Sequence, residues 1–520
     1  MTEKLRKILS CQIEQEKLTF GRIFAVQCIL FFAVYGIMLV PRFSTDSYSV
    51  FFYTGGSLNG FLEMGRTGTY LLYRILLALG VNSVTLSPLF TGVFILTVSW
   101  SSSVLLSLLK PAFHRLNLLT LLLLESGVLL AYANIYFAEL YFFSDVALVY
   151  TFAVLFLTLA LILFFHRNRI AGAILALVCL YLSLSFYQAF LGFFMIFGIM
   201  TILIRHDISG MQWTKQKAEP LGSDLLRLIV AGGGSGAASV LTLMFLTEMG
   251  FVSSRGPSLH MSDILSSVRQ AGRQFLYYYP AGYPNYLTGF SQIIFILSGP
   301  VLLFLLEDSF SANRKRYPLS SVVITFLMLL VCLLSVFAPH FIAKSVWITP
   351  RSICSFFAVF TVIAVVIGHN FQSRKAMPFA GTAVVLLLLA VNIAVIQGIA
   401  LDQMKVNRQD KREAEEIVRL IQEYEKESGQ SVDTISWSWD SRYTWTYPEI
   451  KYTFMDMNVR AGARAWSLTD CISYYAGRQY KSENMPDEVL AEYFAGREWD
   501  SFQPEEQIRF EGNKMYWMVY

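Results

Sequence analysis

The sequence predicts a mainly α-helical, polytopic membrane protein with a small α/β domain hung from its C-terminal end. Three observations predict this. The 520-residue chain is 55% hydrophobic and only 15% charged, outside the range of soluble domains. Apolar runs long enough to cross a bilayer recur up to residue 400 and then stop. The charge balance changes sign at the same place: residues 1–400 carry 26 Lys and Arg against 15 Asp and Glu, and residues 401–520 carry 15 against 22. A basic body and an acidic, Trp- and Tyr-bearing tail suit different environments. The chain therefore divides into a transmembrane domain, 1–400, and an extracytoplasmic domain, 401–520.

The N-terminal residues are polar and mixed in charge. The apolar run at 23–40 lacks a small-residue cleavage site, so it reads as a retained first helix. Further runs of about 17 or more mostly apolar residues lie near 88–109, 117–133, 146–165, 170–186, 188–204, 226–248, 289–306, 319–338, 352–368 and 379–400, which makes about eleven spans. Segment 68–80 (GTYLLYRILLALG) is too short to cross and has Arg74 in its middle. If it does not cross, the basic loops at Lys110/Arg115, Arg167/Arg169, Arg205/Lys215/Lys217, Arg314/Lys315/Arg316 and Arg374/Lys375 all share the side of the N-terminus. If it crosses, every one of them violates the positive-inside rule. Segment 68–80 is thus an interfacial helix, in a first outer loop spanning 41–87. The N-terminus is cytoplasmic, the tail is outside, and the chain is a multi-pass protein of the cell (plasma) membrane.

In the tail, 402–429 has the spacing of an amphipathic helix stopped by Gly429, and 431–439 alternates as a strand. Ser467-Leu-Thr-Asp470 has the residue types of a capping box opening a helix that ends at Gly477. A short helix is expected over 486–495, and 507–520 reads as a hairpin turning at Gly512-Asn513. The string Trp437, Trp439, Tyr443, Trp445 and Tyr447 either stacks on sugar faces or packs a core, and Trp437 and Trp439 are the substrate-binding candidates. Cys471 is the only cysteine on the outer side, so no external intramolecular disulfide is available. No Cys/His spacing fits a zinc site, and no phosphate-binding or dinucleotide fingerprint occurs.

Ionisable groups at the outer membrane boundary are the informative ones, because burying a charge without a partner costs several kcal/mol. Asp46 directly follows the first span; it is either a general base or a helix cap and partner for Arg42. Glu139 and Asp145 share the second outer loop, and Asp145 can also cap the next span. Paired carboxylates suit glycosyl transfer. Outer cations for an anionic lipid phosphate are Arg66, Arg255, Arg269, Arg273, Lys344 and Arg351; Arg351, which heads a span, is the best placed and Lys344 second, while the others, Arg66 among them, also read as solvated loop charges. Tyr187 and Gln188 break an apolar run where two spans meet outside; they either face a polar cavity or form a tight turn.

The acid after the first span, Gly65-Arg66, the second-loop acid, Leu184-Ser-Phe-Tyr-Gln-Ala189, Pro350-Arg351 and a small external tail together resemble the glucosyl transferase Gtr II family, within the GT-C class of membrane glycosyltransferases. The resemblance covers most of the membrane part; the tail matches only in position and size. It implies transfer of a hexose, typically glucose, from a polyprenyl-phosphate donor to a surface polysaccharide or other envelope glycan on the external face, with inversion. Asp46 would be the general base, Glu139 the second-loop acid, and Arg351 with Lys344 would hold the departing phosphate. Some GT-C enzymes use a divalent metal, but no Asp/Glu/His cluster here compels one. Membrane lipid is the other partner, and no feature points to nucleic acid. The rival expectations are a lipid-linked saccharide flippase or transporter and a surface polysaccharide polymerase. A transporter would show midplane charges and inverted repeats; Glu125 is the notable mid-span charge.

Overall fold

A computed structural model describes residues 15–113, 117–166, 168–207, 215–251, 261–278, 287–311, 319–341, 346–370, 376–453 and 456–520. The first span, α1 (Phe20–Tyr35), continues as a 3-10 turn to Leu39. Three short helices then fill the first loop: α2 (Thr45–Phe51), α3 (Asn59–Glu63) and α4 (Thr67–Ala78). Helix α4 is the ambiguous segment of the sequence. Its 12 residues reach only ~18 Å, well short of a bilayer core. It buries Thr69, Tyr73 and Leu76 against the body and exposes Leu71 and Ile75, as an interfacial helix would.

The remaining body helices are α5 (Ser87–Leu109), α6 (Leu118–Tyr132), α7 (Ile135–Phe142), α8 (Ala147–Phe164), α9 (Arg169–Phe186), α10 (Phe190–Arg205), α11 (Lys215–Glu248), α12 (Met261–Tyr278), α13 (Phe290–Ser311), α14 (Leu319–Phe341), α15 (Phe356–Asn370) and α16 (Ala376–Ser428). Among the described residues nine helices are long and apolar enough to cross a membrane, and α6 with α7 forms a tenth candidate broken by a 47° bend. The 16-residue α10 is shorter, yet it lies in the interior with most of its side chains buried. Each apolar run of the sequence is thus helical, and the protein is a multi-pass membrane protein. Outer helices leave Ile29, Leu89, Ile170, Phe304 and Leu319 exposed, which only lipid tolerates in such numbers. The span over Pro350–Asn370 is 83% buried and forms the centre of the bundle.

Helix α16 has 53 residues, ~80 Å of helix, more than twice what a bilayer core needs. Its second half therefore leaves the bundle and becomes the first element of the tail, ending at Gly429 with φ 71°. The division at 400/401 falls inside this helix, so body and tail have no flexible linker between them. The joint is braced from three sides. Gln403 Nε2 donates to the Phe142 carbonyl at 3.1 Å, and Asn407 exchanges hydrogen bonds of 2.8 and 2.9 Å with the Phe43 backbone. Buried Asp402 accepts the Lys451 and Tyr452 N–H groups, both at 2.9 Å.

The tail sheet has the order β2-β1-β4-β3, with β1 (Thr434–Trp439), β2 (Lys481–Asn484), β3 (Ile508–Glu511) and β4 (Lys514–Val519). Strand β1 pairs in parallel with β2 and β4, and β3 with β4 form the expected hairpin, turned at Gly512. Between β1 and β2 runs α17 (Ala465–Ala476), closed by Gly477 in the left-handed region. It opens two residues before the expected capping box, and the buried Ser467 hydroxyl caps nothing. The helix expected over 486–495 is one α turn, Asp487–Val489, followed by a π turn, Leu490–Phe494. Its first helix, α16, and α17 enclose the sheet around Ile417, Ile421, Ile435, Leu468, Ile472 and Trp517.

Candidate active site

The site is built where α2, the α6–α7 bend, the head of α15 and the tail meet. Ser44 caps α2: its Oγ accepts the Ser47 N–H at 3.2 Å, and Ser47 Oγ accepts the Ser44 N–H at 3.0 Å. This reciprocal cap starts the helix one residue before Asp46, so Asp46 is not needed as a cap. Nor does it pair with Arg42, which is buried and donates to the Tyr141 carbonyl at 3.0 Å and to Met38 Sδ. Asp46 is half-buried, and its Oδ1 accepts the indole N–H of Trp466 from the tail at 3.0 Å.

Asp145 lies beneath the cap. It is buried and accepts the Ser47 and Ser44 hydroxyls at 2.7 and 3.3 Å. Tyr73 of α4 donates to its backbone carbonyl at 2.9 Å. Asp145 therefore ties the cap of α2 to the head of α8 and to the interfacial helix.

Glu139 reaches the interior because Asn134 makes the bend. The Asn134 side chain accepts from Tyr136 and Phe137 N–H at 3.0 and 2.9 Å and donates back to the Leu130 carbonyl at 2.9 Å, ending one helix and starting the next. Both carboxylate oxygens of Glu139 are taken by Arg351: Nη1 donates at 2.8 Å and the backbone N–H donates to the second oxygen. The Glu139 side chain is 2% exposed and that of Arg351 21%. The Arg351 guanidinium also lies 4.2 Å from the centre of the Phe143 ring. Its backbone is fixed by a Thr349–Ser352 capping box with Pro350 in the first turn.

Arg66 follows Gly65, whose φ of 70° requires a residue without Cβ. The turn sets the Arg66 guanidinium over the Tyr187 ring at 4.8 Å, and its Nε is buried without a hydrogen-bond partner. Arg66, Arg351 and Glu139 all act electrostatically on Tyr187. Gln188 turns the other way and donates to the Met64 carbonyl at 2.8 Å, holding the interfacial segment on the body. Thr69 Oγ1 adds a bond to the Phe186 carbonyl at 3.1 Å, and a Cβ on Gly68 would lie 2.5 Å from Ser185 Oγ. The Gly65-Arg66 and Tyr-Gln motifs therefore meet in space.

A model of the family described as glucosyl transferase GtrII matches residues 35–368, more than half of the chain. The chain belongs to the GtrII glucosyl transferase family. No curated protein and no solved structure matches it. The GtrII match contains Asp46, Arg66, Glu139, Asp145, Tyr187, Gln188 and Arg351 and stops before α16. Membership makes the chain a membrane glycosyltransferase.

Not every candidate converges. Lys344 lies outside the described residues. Trp437 is buried in the tail core, with its indole N–H on Ser482 Oγ at 3.0 Å, and Trp439 donates to the Gly462 carbonyl at 3.0 Å. The structure does not bring these two to Asp46. In their place, beyond the GtrII match, it brings Trp466, Arg464, Asp456 and Asp470. Asp456 and Arg464 act electrostatically on Asp46, and Ser49 of α2 donates to the Trp466 carbonyl and bonds Asp470. The sequence signal for Trp466 is faint: an aromatic at the start of a helix, 420 residues from its partner.

Burial holds the Asp46 carboxyl above the usual carboxylate range, and the Asp456 charge adds to this. Arg351, the Trp466 N–H and Arg464 pull the other way. Burial likewise raises Asp470. Among the described residues no three His, Cys, Asp or Glu side chains converge as metal ligands.

Proposed function

We propose that the chain moves a hexose, glucose by the family's description, from a polyprenyl-phosphate donor to an envelope glycan on the membrane face that carries the tail, in one inverting displacement. The observation that carries this reading is a half-open carboxylate, Asp46, within electrostatic reach of the Arg351 cation at the tail-side edge of the bundle. The acceptor hydroxyl oxygen attacks C1 of the hexose from the face opposite the phosphate. Its proton passes to Oδ2 of Asp46, while the Trp466 N–H holds Oδ1 in place. The C1–O bond breaks with its electron pair left on the phosphate, which leaves as a monoester carrying one more negative charge.

That charge needs cations in a site that excludes water. Arg351 has Nη1 on Glu139, which leaves Nη2 for the phosphate, and Arg66 has no carboxylate partner among the described residues. Glu139 in this reading positions Arg351, and Asp145 positions the α2 cap that carries Asp46. The half-exposed apolar face of α4 provides a sill over which the lipid chain enters.

The test uses purified full-length protein in nanodiscs with radiolabelled polyprenyl-phosphate-glucose and polysaccharide extracted from the source cells. Label appears in the polysaccharide with wild type and falls to background with Arg351→Ala. Label that never leaves the lipid, or that crosses the bilayer still attached to it, overturns the reading in favour of a transporter.

A further inference from the structure

Trp445 and Trp466 are 49% and 48% exposed, while the tail tryptophans Trp437, Trp499 and Trp517 are buried. Two large indoles left open on a small domain need a reason. They are not scattered: the Arg464 guanidinium lies 4.1 Å from the Trp445 ring centre and 5.5 Å from that of Trp466. Arg464 is also paired with Asp456 at 2.9 Å, with side chains 11% and 19% exposed. Trp466 is at the same time the hydrogen-bond donor to Asp46. An aromatic pair, a planar cation and a carboxylate thus form a continuous strip leading to the candidate base.

We propose that Trp445, Arg464, Asp456 and Trp466 form the acceptor subsite and take an uncharged hexopyranose chain, its sugar faces on the two indoles and its hydroxyls fixed by Asp456 and Arg464. This rests on the transferase reading above. A pyranose presents an apolar C–H face bounded by hydroxyls, which matches rings edged by a planar donor and an acceptor. Indoles held on a rigid scaffold supply contact area at little entropic cost. The joint of α16 provides that rigidity: Asp402 and Asn458 tie the loop preceding Arg464 to the top of the span. A sugar on Trp466 lies at Asp46, and one on Trp445 is the next unit along the chain.

The charge of the tail selects the acceptor class. Residues 401–520 carry 22 acidic against 15 basic side chains, and Asp46, Asp456 and Asp470 gather around the strip. Such a surface repels a polyanionic glycan and accepts a neutral one. The strip also lies beyond residue 368, where the family match ends. Donor handling belongs to the matched region, and acceptor choice to the tail.

The test is steady-state kinetics on the full chain in nanodiscs, with labelled polyprenyl-phosphate-glucose and sized neutral oligosaccharides from the source cell's surface polysaccharide. Trp445→Ala raises the KM for oligosaccharide about tenfold, as loss of an aromatic anchor implies, with the donor KM unchanged. Trp445→Tyr, which keeps an aromatic face, restores most of the loss. An unchanged oligosaccharide KM in Trp445→Ala, an equal rise in donor KM, or a preference for phosphorylated oligosaccharides overturns the subsite. Absence of transfer by wild type would instead refute the transferase reading. Calorimetric titration of the same oligosaccharides then decides the subsite alone: binding lost in Trp445→Ala supports it, and binding absent or equal in both refutes it.

Discussion

The floor of the site, buried in the membrane body, and its upper edge, where α2 meets the tail that roofs it, hold their carboxylates differently. On the floor, Glu139 and Asp145 are 1% and 2% exposed. Glu139 has both oxygens on Arg351, and Asp145 accepts two serine hydroxyls. Where the roof meets the floor, Asp46 is half-buried, with Oδ1 on an indole N–H. Glu139 is a brace, because protonating it would strand the buried Arg351 cation, and Asp145 is one because its Oδ1 holds the α2 cap from a site closed to solvent. Asp46, partly open to solvent and held by one indole N–H, is the carboxylate equipped as a base. Proximity to the membrane boundary does not separate the two roles; exposure does.

The sharpest way to break this comparison is to neutralise one acid from each side. Asp46→Asn keeps the shape and removes the base, so transfer falls by about 10²–10⁴-fold while thermal stability and donor binding hold. Glu139→Gln should do the opposite in kind: stranding Arg351 without its counter-charge costs about 3–5 kcal/mol of stability, read as a large fall in the midpoint of thermal unfolding in detergent. If Asp46→Asn unfolds the protein and Glu139→Gln leaves its melting unchanged, the assignment of brace and base is reversed.

The pH profile sharpens the same contrast with smaller effects. A base works deprotonated, so activity rises with pH through the Asp46 pKa, and burial places that limb above the ordinary carboxylate range. Asp456 raises this pKa, so Asp456→Asn moves the acid limb of kcat to lower pH. The Trp466 N–H lowers it, so Trp466→Phe moves the limb to higher pH, by less than the Asp456 change. Transfer assays from pH 4 to 8 would show both displacements; limbs that stay put in both variants exclude Asp46 as the titrating group.

The body is far more legible in the sequence than the cleft, for a physical reason. Spans are announced locally, by runs of apolar residues, and the interfacial nature of α4 follows from the parity of the basic loops. Asp46 is legible because it directly follows the first span. The grip of Arg351 on Glu139 joins residues 212 apart, and that of Trp466 on Asp46 joins residues 420 apart. No periodicity encodes either. Trp437 and Trp439 share their composition with Trp445, and only the folded sheet decides which indoles face inward. Ser467-Leu-Thr-Asp470 has the composition of a cap, yet α17 begins at Ala465 and sends Asp470 to Ser49 of α2 instead. The change in composition at residue 400 marks the end of the apolar run, not the end of the helix.

That uninterrupted helix gives the smallest test, which concerns how the roof is held over the floor. At the joint, Asp402 has two kinds of partner. Its Oδ1 pairs with Lys405, whose side chain is 50% exposed, and its Oδ2 accepts two backbone N–H groups of the tail. The first is a solvated ion pair and should contribute little: Lys405→Ala changes stability by about 0–1 kcal/mol and leaves transfer intact. The second fixes the tail loop, so Asp402→Ala leaves two partly buried N–H donors without their acceptor, at about 1–3 kcal/mol. The loop would loosen, and because α17 carries Trp466, the oligosaccharide KM should rise although residue 402 touches neither substrate. Measuring KM and thermal unfolding in both variants separates a roof held by hydrogen bonds to its backbone from one held by charge. Equal effects from Lys405→Ala and Asp402→Ala would mean that the ion pair, not the backbone cradle, fixes the tail over Asp46.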